Sequence, residues 1–304
     1  MKHTPKVTIL LVLFFFIAQL VGLLIINQYI DHKKTQETNK IEYKPLPYNL
    51  ERPEVENQST SFIYITIAIL IGTVIVLVLA KFNKGMIWKI WFFITVFITL
   101  SIAFAAFFNS IIAAVLALAF SIFKFYRPNV ILQNITEIFI YGGLASIFVP
   151  ILNVFGAFML LIVISIYDYI AVFKTKHMVK MAKFQSNSKV FAGLMIPYER
   201  GKIASKPQIN EVREPSASGK SEHSVAILGG GDIGFALIFA GAAMKSLMLK
   251  ESLLLGFLKT MIIPIFASFA LSYLLVKGQR NKFYPAMPAI TIGCFIGYLV
   301  ILVI

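Results

Sequence analysis

Two aspartates interrupt long apolar stretches of this sequence. Asp168 lies within Ser165–Tyr169, and Asp232 directly follows the three glycines of Gly229–Gly231. An aspartate near the centre of a bilayer costs about 2.5 to 3.5 kcal/mol on insertion scales, so a membrane protein that carries two of them is expected to use them. Two intramembrane carboxyl groups indicate acid and base chemistry.

The composition sets the class of protein that must position these acids. Of the 304 residues, 58% are hydrophobic and only 14% are charged, and the mean hydropathy is +0.81. Because a helix needs about 20 mostly apolar residues to cross a bilayer, the sequence predicts an all-α polytopic membrane protein with about nine transmembrane helices. The predicted helices are 7–28, 61–81, 86–107, 109–123, 130–149, 154–173, 224–244, 252–276 and 284–303.

Two parts of this assignment have alternatives. The turn between the third and fourth helices is minimal and the fourth is short, so an eight-span arrangement is also compatible with the sequence. The first apolar run, from about Val7 to Ile26, is longer than the core of a signal peptide and is followed by no clear cleavage site. We therefore expect it to be a retained membrane anchor.

The charges of the loops predict an orientation. Basic residues concentrate in alternate connections, most of all in 174–223, which holds ten Lys or Arg. The positive-inside rule places these connections and the N-terminus in the cytoplasm, and the loop 29–60 and the C-terminus outside. Lys245 and Lys250 fall at a predicted outer loop and are exceptions to the rule.

The sequence divides into three parts: transmembrane helices one to six (1–173), a polar cytoplasmic loop (174–223) and helices seven to nine (224–304). The loop is expected to be mobile from about 201 to 221. Within it, the apolar island Val190–Pro197 is either a strand or a patch that contacts the membrane surface.

The net charge of +14 does not indicate a nucleic-acid partner, because the basic residues are spread over loops that flank helices. Contact with anionic lipid explains them more simply. Cys294 is the only cysteine, which excludes an intramolecular disulfide and a cysteine metal site. We expect no metal or cofactor, and a homo-oligomer is compatible with the sequence.

The two aspartates are predicted to lie at similar depths on consecutive antiparallel helices. Asp168 lies about five residues and Asp232 about eight residues from the cytoplasmic ends of their predicted helices, or roughly 8 and 12 Å. If they face each other, they form a dyad whose members cannot both ionise. The remaining intramembrane acid, Glu137, is close to a predicted helix start and is expected to reach the membrane surface and have no special role.

Three successive glycines oppose a helix at the position where they occur. Although the apolar run starts near 224, the helical part of the seventh segment is therefore expected to begin near Asp232, with Val225–Leu228 extended before it. Glycines also let another chain approach the backbone closely.

The chain resembles a known family at three places. Tyr167-Asp168, Gly229–Asp232 and Pro285–Pro288 match, in order and spacing, the YD, GxGD and PAL motifs of the presenilin and signal peptide peptidase family of intramembrane aspartyl proteases. The nine-helix plan with a long polar loop between the aspartate helices is similar too. Met287 stands where the third motif usually has leucine, a volume-conserving difference.

The resemblance implies an aspartic endopeptidase that cleaves the transmembrane helices of other membrane proteins with a water molecule and no cofactor. Asp168 and Asp232 would be the catalytic pair, and the other motif residues would bind substrate: Tyr167, Gly229, Gly230, Gly231, Pro285, Ala286, Met287 and Pro288. A substrate helix must unwind before hydrolysis. We expect the unwound strand to pair with Val225–Leu228, and a role for Val190–Met195 is also compatible with the sequence.

A proton-coupled transporter or cation channel is the alternative, because such proteins also use intramembrane acids and glycine-broken helices. No inverted repeat is evident, and the two aspartates occur in dissimilar contexts. The motif combination therefore favours the protease.

Overall fold

A computed structural model describes residues 4–278 and 284–304, apart from 56, 128, eight positions between 176 and 189, and 198–224. Most of the predicted 174–223 loop, including its 201–221 part, therefore lies outside the described residues. The described helices are α1 Pro5–Tyr29, α2 His32–Thr38, α3 Ser61–Lys81, α4 Gly85–Ala105, α5 Ser110–Tyr126, α6 Val130–Phe148, α7 Val154–Phe173, α8 Gly230–Lys250, α9 Leu253–Thr260, α10 Ile262–Lys277 and α11 Met287–Val303. Two strands, β1 Gly193–Pro197 and β2 Val225–Gly229, pair antiparallel.

The prediction of an all-α polytopic membrane protein is confirmed. Within the described residues, seven helical segments are long and apolar enough to cross a bilayer, with α9 and α10 counted together as Leu253–Lys277. Two shorter apolar helices, α5 and α11, have 17 residues each. That α5 and α11 also span the bilayer, which would make nine spans, thus stays a prediction.

The predicted seventh helix, 224–244, is displaced in the structure. The residues before Gly230 form β2 and α8 continues to Lys250, as expected from glycines that disfavour a helix. Asp232 consequently lies in the first turn of α8, and the prediction that it is eight residues inside a helix was wrong. The apolar island at 190–197 contains β1, which answers the question of strand or surface patch.

Side-chain caps define several of the short turns. Asparagine or serine precedes four helices, and its side-chain oxygen accepts a hydrogen bond from a backbone N–H of the first turn, which would otherwise have no partner within the helix. The pairs are Asn109 with Ile112, Asn129 with Ile131, Asn153 with Gly156 and Ser252 with Leu255. The minimal turn after the third predicted span is therefore a genuine helix boundary.

The centre of the molecule is α8, which carries Asp232. In the most apolar part of α8, 78% is buried within the protein, whereas the corresponding share for the peripheral helix α3 is 11%. It packs against α1, α6, α7, α10 and α11. Small residues permit such close packing within a membrane: a methyl group added at Gly143 of α6 would collide with the Thr99 carbonyl oxygen of α4.

Lys245 has a structural role inside this bundle. The side chain is 8% exposed, and its Nζ donates to the Leu152 carbonyl oxygen at 2.6 Å and to Gln58 Oε1 at 3.1 Å. The Val149 and Pro150 carbonyls, in the turn after α6, are 3.5 Å away. A lysine at a helix C-terminus satisfies carbonyls that the helix leaves open. This residue is therefore a cap, and it no longer counts as a loop charge against the predicted orientation.

We expect Lys245→Met to lower the free energy of unfolding by about 1 to 3 kcal/mol, because buried carbonyl oxygens lose their donor. Lys250→Met is the matched control, since Lys250 is exposed at the end of the same helix. Thermal unfolding in detergent should show a lower midpoint for the first variant only. Equal midpoints for the two variants would contradict the capping role.

Candidate active site

Asp168 lies five residues before the end of α7 and is 7% exposed. Its Oδ2 accepts a hydrogen bond from the backbone N–H of Met287 at 3.2 Å, and the Ala286 N–H also interacts with this carboxyl. The predicted third motif therefore contacts the first aspartate directly. Backbone donors hold a carboxyl in one orientation without adding a positive charge.

The contact between α7 and α11 maintains this arrangement. Ser165 Oγ and Thr291 Oγ1 are 2.7 Å apart, one turn from Asp168 and Met287 respectively. Farther along the same two helices, the rings of Phe158 and Phe295 stack with centroids 4.0 Å apart. Pro288 lies at the start of α11, where a missing N–H is tolerated. The two helices thus fix the 285–288 segment beside Asp168.

Asp232 lies where β2 leads into α8. Gly229 is the N-cap residue, and its Cα approaches the Asp232 carboxyl so closely that an added Cβ would lie 3.2 Å from Oδ2. A methyl group added at Gly230 would collide with the Tyr141 hydroxyl. In the same turn, Gln19 Nε2 of α1 donates to the Ile233 carbonyl oxygen at 2.9 Å. Close neighbours explain the glycines at 229 and 230, whereas Gly231 has room for a side chain.

The two aspartates lie on neighbouring helices, Asp168 on α7 and Asp232 in the first turn of α8. Lys245 near the end of α8 contacts Leu152, just before the start of α7, so the packed helices α7 and α8 run antiparallel. Asp232 is 13 residues from Lys245 along α8, and Asp168 is 14 residues from Val154, the first residue of α7. Both distances are about 20 Å at 1.5 Å per residue. The similar depth of the two carboxyl groups, which the sequence predicted, stays a prediction.

The β1–β2 pair forms an extended platform that leads into Asp232. Its register places Gly193 opposite Gly229 and Met195 opposite Ile227. The Gly230 N–H donates to the Ala192 carbonyl at 3.3 Å. Along an antiparallel pair, the backbone N–H and C=O groups of successive residues point alternately toward and away from the partner strand. Those of Ile227, and of the residues two positions before and after it, therefore point away from β1. The side chain of Ile227 is 44% exposed.

The far side of β1 is covered by helix α6. Asn134 Nδ2 donates to the Met195 carbonyl and Asn134 Oδ1 accepts from the Met195 N–H, both at 2.8 Å. Gln133 Nε2 lies 3.1 Å from the Gly193 carbonyl oxygen. These amides take the place of a third strand, so among the described residues the edge of β2 is the side of this sheet that strand addition would use.

The Tyr167 hydroxyl contacts α3 and the segment that follows α7. The oxygen lies 3.0 Å from Thr73 Oγ1 of α3 and 3.0 Å from His177 Nε2. Partial burial lowers the pKa of His177, which favours the neutral ring, whose unprotonated nitrogen can accept a hydrogen bond. Tyr167, the residue before Asp168, thus joins α7 to α3 and to the segment after α7.

Several polar residues near the site escaped the sequence analysis. Glu137 was expected to reach the membrane surface, and that was wrong: it is fully buried and bonds Lys124, Gln133 and Tyr141. Asn134 and Gln19 were not singled out at all. Their polar side chains within transmembrane helices are the signal that could have found them, because such side chains usually bond one another or backbone groups.

The arrangement has the parts of acid and base catalysis by two carboxyl groups: two acids on packed antiparallel helices, backbone donors on one of them, and an extended strand that leads to the other. Within the described residues, no cluster of three or more His, Cys, Asp or Glu is arranged to hold a metal ion. The chemistry that these residues support is addition of water to a carbonyl group.

Known proteins resemble this chain in sequence pattern and in fold. Residues 39–304 match the family model described as signal-peptide peptidase, presenilin aspartyl protease. The fold is similar to two crystal forms, C222 and P2, of a presenilin family intramembrane aspartate protease, each 16% identical in sequence. The TM-scores are 0.59 and 0.60; the alignments cover 95% and 96% of this chain and 94% and 96% of the other chains. No curated protein sequence matches.

Proposed function

Since the chain belongs to the signal-peptide peptidase and presenilin aspartyl protease family and is an intramembrane aspartic endopeptidase, we propose that Asp168 and Asp232 are its catalytic dyad. The observation that supports this proposal is that α7 and α8 pack antiparallel, with the aspartates 13 and 14 residues along them from Lys245 and Val154. The family assignment also favours the protease over the transporter or channel.

The dyad would share one proton. The ionised carboxyl takes a proton from a water molecule as that water attacks the scissile carbonyl carbon, and the protonated carboxyl donates its proton to the carbonyl oxygen. Collapse of the tetrahedral intermediate breaks the C–N bond: the amine leaves with a proton from the dyad, and one hydroxyl of the intermediate returns its proton to the dyad as the carboxyl product forms. The N–H groups of Met287 and Ala286 hold the Asp168 carboxyl in place for these transfers.

The substrate in this proposal is the transmembrane helix of another membrane protein. Its carbonyls are occupied by helical hydrogen bonds, so the helix must unwind near the scissile bond. The unwound stretch then adds to β2 through the outward backbone groups of Ile227 and its second neighbours. Because β2 ends three residues before Asp232, this pairing delivers a substrate carbonyl to the dyad.

The remaining motif residues bind the extended substrate in this scheme. Glycines at 229–231 add no side chain between the substrate backbone and Asp232. Pro285–Pro288 forms a wall beside Asp168. Tyr167 contributes its ring next to Asp168, with its hydroxyl held by Thr73 and His177.

The loop charges support an orientation with the N-terminus and 174–223 in the cytoplasm and the C-terminus outside. This is similar to the sense of presenilins. By that analogy, substrates whose own N-terminus lies outside are preferred. Cysteine labelling of introduced residues in the 29–60 and 174–223 segments of intact cells would test the orientation.

The function is tested with purified protein in lipid vesicles that contain a single-span substrate. Mass spectrometry should find two products whose new termini lie within or near the transmembrane segment of the substrate. The same vesicles, loaded with a pH-sensitive or cation-sensitive dye, report flux. Ion flux without any cleavage would refute the protease function and support the transporter.

A further inference from the structure

A buried group of polar side chains lies on α5 and α6, outside the dyad, and we call it the Glu137 cluster: Lys124, Gln133, Glu137 and Tyr141. Lys124 Nζ is 2.5 Å from Glu137 Oε1, and Gln133 Nε2 donates to the same oxygen at 2.9 Å. The Tyr141 hydroxyl donates to Glu137 Oε2. The carboxylate therefore has a partner on each oxygen and a positive charge beside it.

One arm of the cluster reaches the strand platform. Besides Glu137, Gln133 Nε2 lies within hydrogen-bonding distance of the Phe191 carbonyl at 3.0 Å and the Gly193 carbonyl at 3.1 Å. Gly193 is the first residue of β1, and it faces Gly229 across the sheet. The position of Gln133, which Glu137 orients, thus sets where β1 and its partner β2 lie.

The other arm reaches the catalytic turn. The Tyr141 hydroxyl packs against the Cα of Gly230, the first residue of α8, where no side chain would fit. Gly230 is two residues from Asp232, and the Asp232 carboxyl is near enough to act electrostatically on Tyr141. Glu137 holds this hydroxyl, so the same carboxylate orients both the amide that contacts β1 and the hydroxyl that contacts Gly230 at the start of α8.

Stability alone is a weak reason for such a group within a membrane. Removing two charges from water offsets much of their attraction, and apolar residues of similar volume often stabilise a protein as well as a buried ion pair does. A fully satisfied buried network does supply a single fixed arrangement of its members. The side chains of Lys124 and Glu137 are 4% and 1% exposed, so the bilayer and solvent do not loosen this arrangement.

We propose that Glu137 is a positioning residue of the protease: through Gln133 and Tyr141 it sets the substrate platform β1–β2 relative to the turn that carries Asp232. This inference rests on the proposed function of Asp232 and β2. Its consequence is that the two arms have separable effects. Loss of the Tyr141 arm misplaces the catalytic carboxyl, whereas loss of the Gln133 arm misplaces the bound substrate.

Tyr141→Phe tests the first arm, because it removes one hydroxyl and keeps the ring. We expect kcat to fall about 10- to 100-fold with KM within about twofold, since small misplacements of a reacting group cost rates of this size. Tyr29→Phe is the matched control. Tyr29 is also buried and also donates through its hydroxyl, to the Ile102 carbonyl at 2.7 Å, but it is at the opposite end of the bundle. It should leave kcat unchanged.

Gln133→Met tests the second arm with a side chain of similar length. We expect a higher KM, or new cleavage positions in the products, with a smaller loss of kcat than Tyr141→Phe. Glu137→Gln should show both effects. If the unpaired Lys124 prevents that variant from folding, the double variant Lys124→Met with Glu137→Gln restores neutrality and should show the same two effects. Parent-like kcat in Tyr141→Phe, or an equal loss in Tyr29→Phe, would overturn the proposal.

Hydrogen exchange of the backbone supplies a measurement that does not depend on cleavage. Peptides that cover 225–235 should exchange faster in Tyr141→Phe than in the parent, and not in Tyr29→Phe. If the parent cleaves no substrate, the proposed function fails while exchange still decides the positioning role. If the parent cleaves and exchange is the same in all three proteins, only the positioning role fails.

Discussion

Asp168→Asn and Asp232→Asn should each lower kcat/KM for a single-span substrate by roughly 10³-fold or more, because each removes a group that must accept or donate a proton. Asparagine has nearly the same volume and keeps an oxygen that can accept from the Met287 N–H, so the helices should pack as in the parent. Quantitative mass spectrometry of the two products measures the loss.

Asp31, the remaining aspartate of the chain, is the matched control. Asp31 caps α2, where its side chain accepts from the Lys34 N–H, and asparagine caps a helix equally well. Asp31→Asn should therefore retain parental cleavage. Cleavage that persists at the parental rate in both Asp168→Asn and Asp232→Asn would show that another group performs the reaction.

The same dyad predicts the pH dependence of cleavage. Activity requires one carboxyl to be ionised and the other protonated, so the rate should fall at low pH, where both are protonated, and at high pH, where both are ionised. The profile of kcat/KM should be bell-shaped, and its two apparent constants belong to the pair and not to either residue. A profile that is flat across the range in which the protein stays folded would contradict a shared proton.

Ile227→Pro should lower kcat/KM by about 10- to 100-fold while the protein remains folded. The Ile227 N–H points away from β1, and proline is tolerated in a strand at such a position. The preceding residue, Ala226, already has the extended conformation that proline requires of its neighbour. The bound substrate, however, would lose one backbone donor and would meet the proline ring.

Ile227→Ala is the control, since it removes most of the side chain but keeps the N–H. Its loss of kcat/KM should be smaller than that of Ile227→Pro, because main-chain hydrogen bonds supply the affinity of an added strand. Thermal unfolding in detergent confirms that both variants fold. Equal cleavage by the proline variant and the parent would mean that the substrate does not pair with β2.

Much of the fold follows from patterns that are local in the chain. The helices at 61–81 and 154–173 begin and end at the predicted residues. The thickness of the bilayer sets the length of such an apolar helix, and the polar residues on either side mark where it begins and ends. The extended segment before Asp232 was also predictable, since consecutive glycines disfavour a helix wherever they occur. The three motifs identify the family for the same reason: each is a few adjacent residues.

The tertiary structure decided what depends on partners far away in the chain. Lys245 looked like an exception to the positive-inside rule until its contact with Leu152, 93 residues earlier, showed it to be a helix cap. Glu137 looked able to reach the membrane surface because the spacing along α6 does not reveal that Lys124 and Tyr141 enclose it. A residue pattern records which face of a helix is apolar, not which helix covers that face.

The amino-acid sequence by itself therefore determined the membrane class, most of the helices, the family and the two candidate acids. Only the tertiary structure decided that the backbone groups of Ile227 are turned away from β1, and that Glu137 is buried among Lys124, Gln133 and Tyr141. The physical reason is that length, apolarity and glycine content act on a segment alone. Strand register and buried hydrogen bonds arise only when distant segments meet.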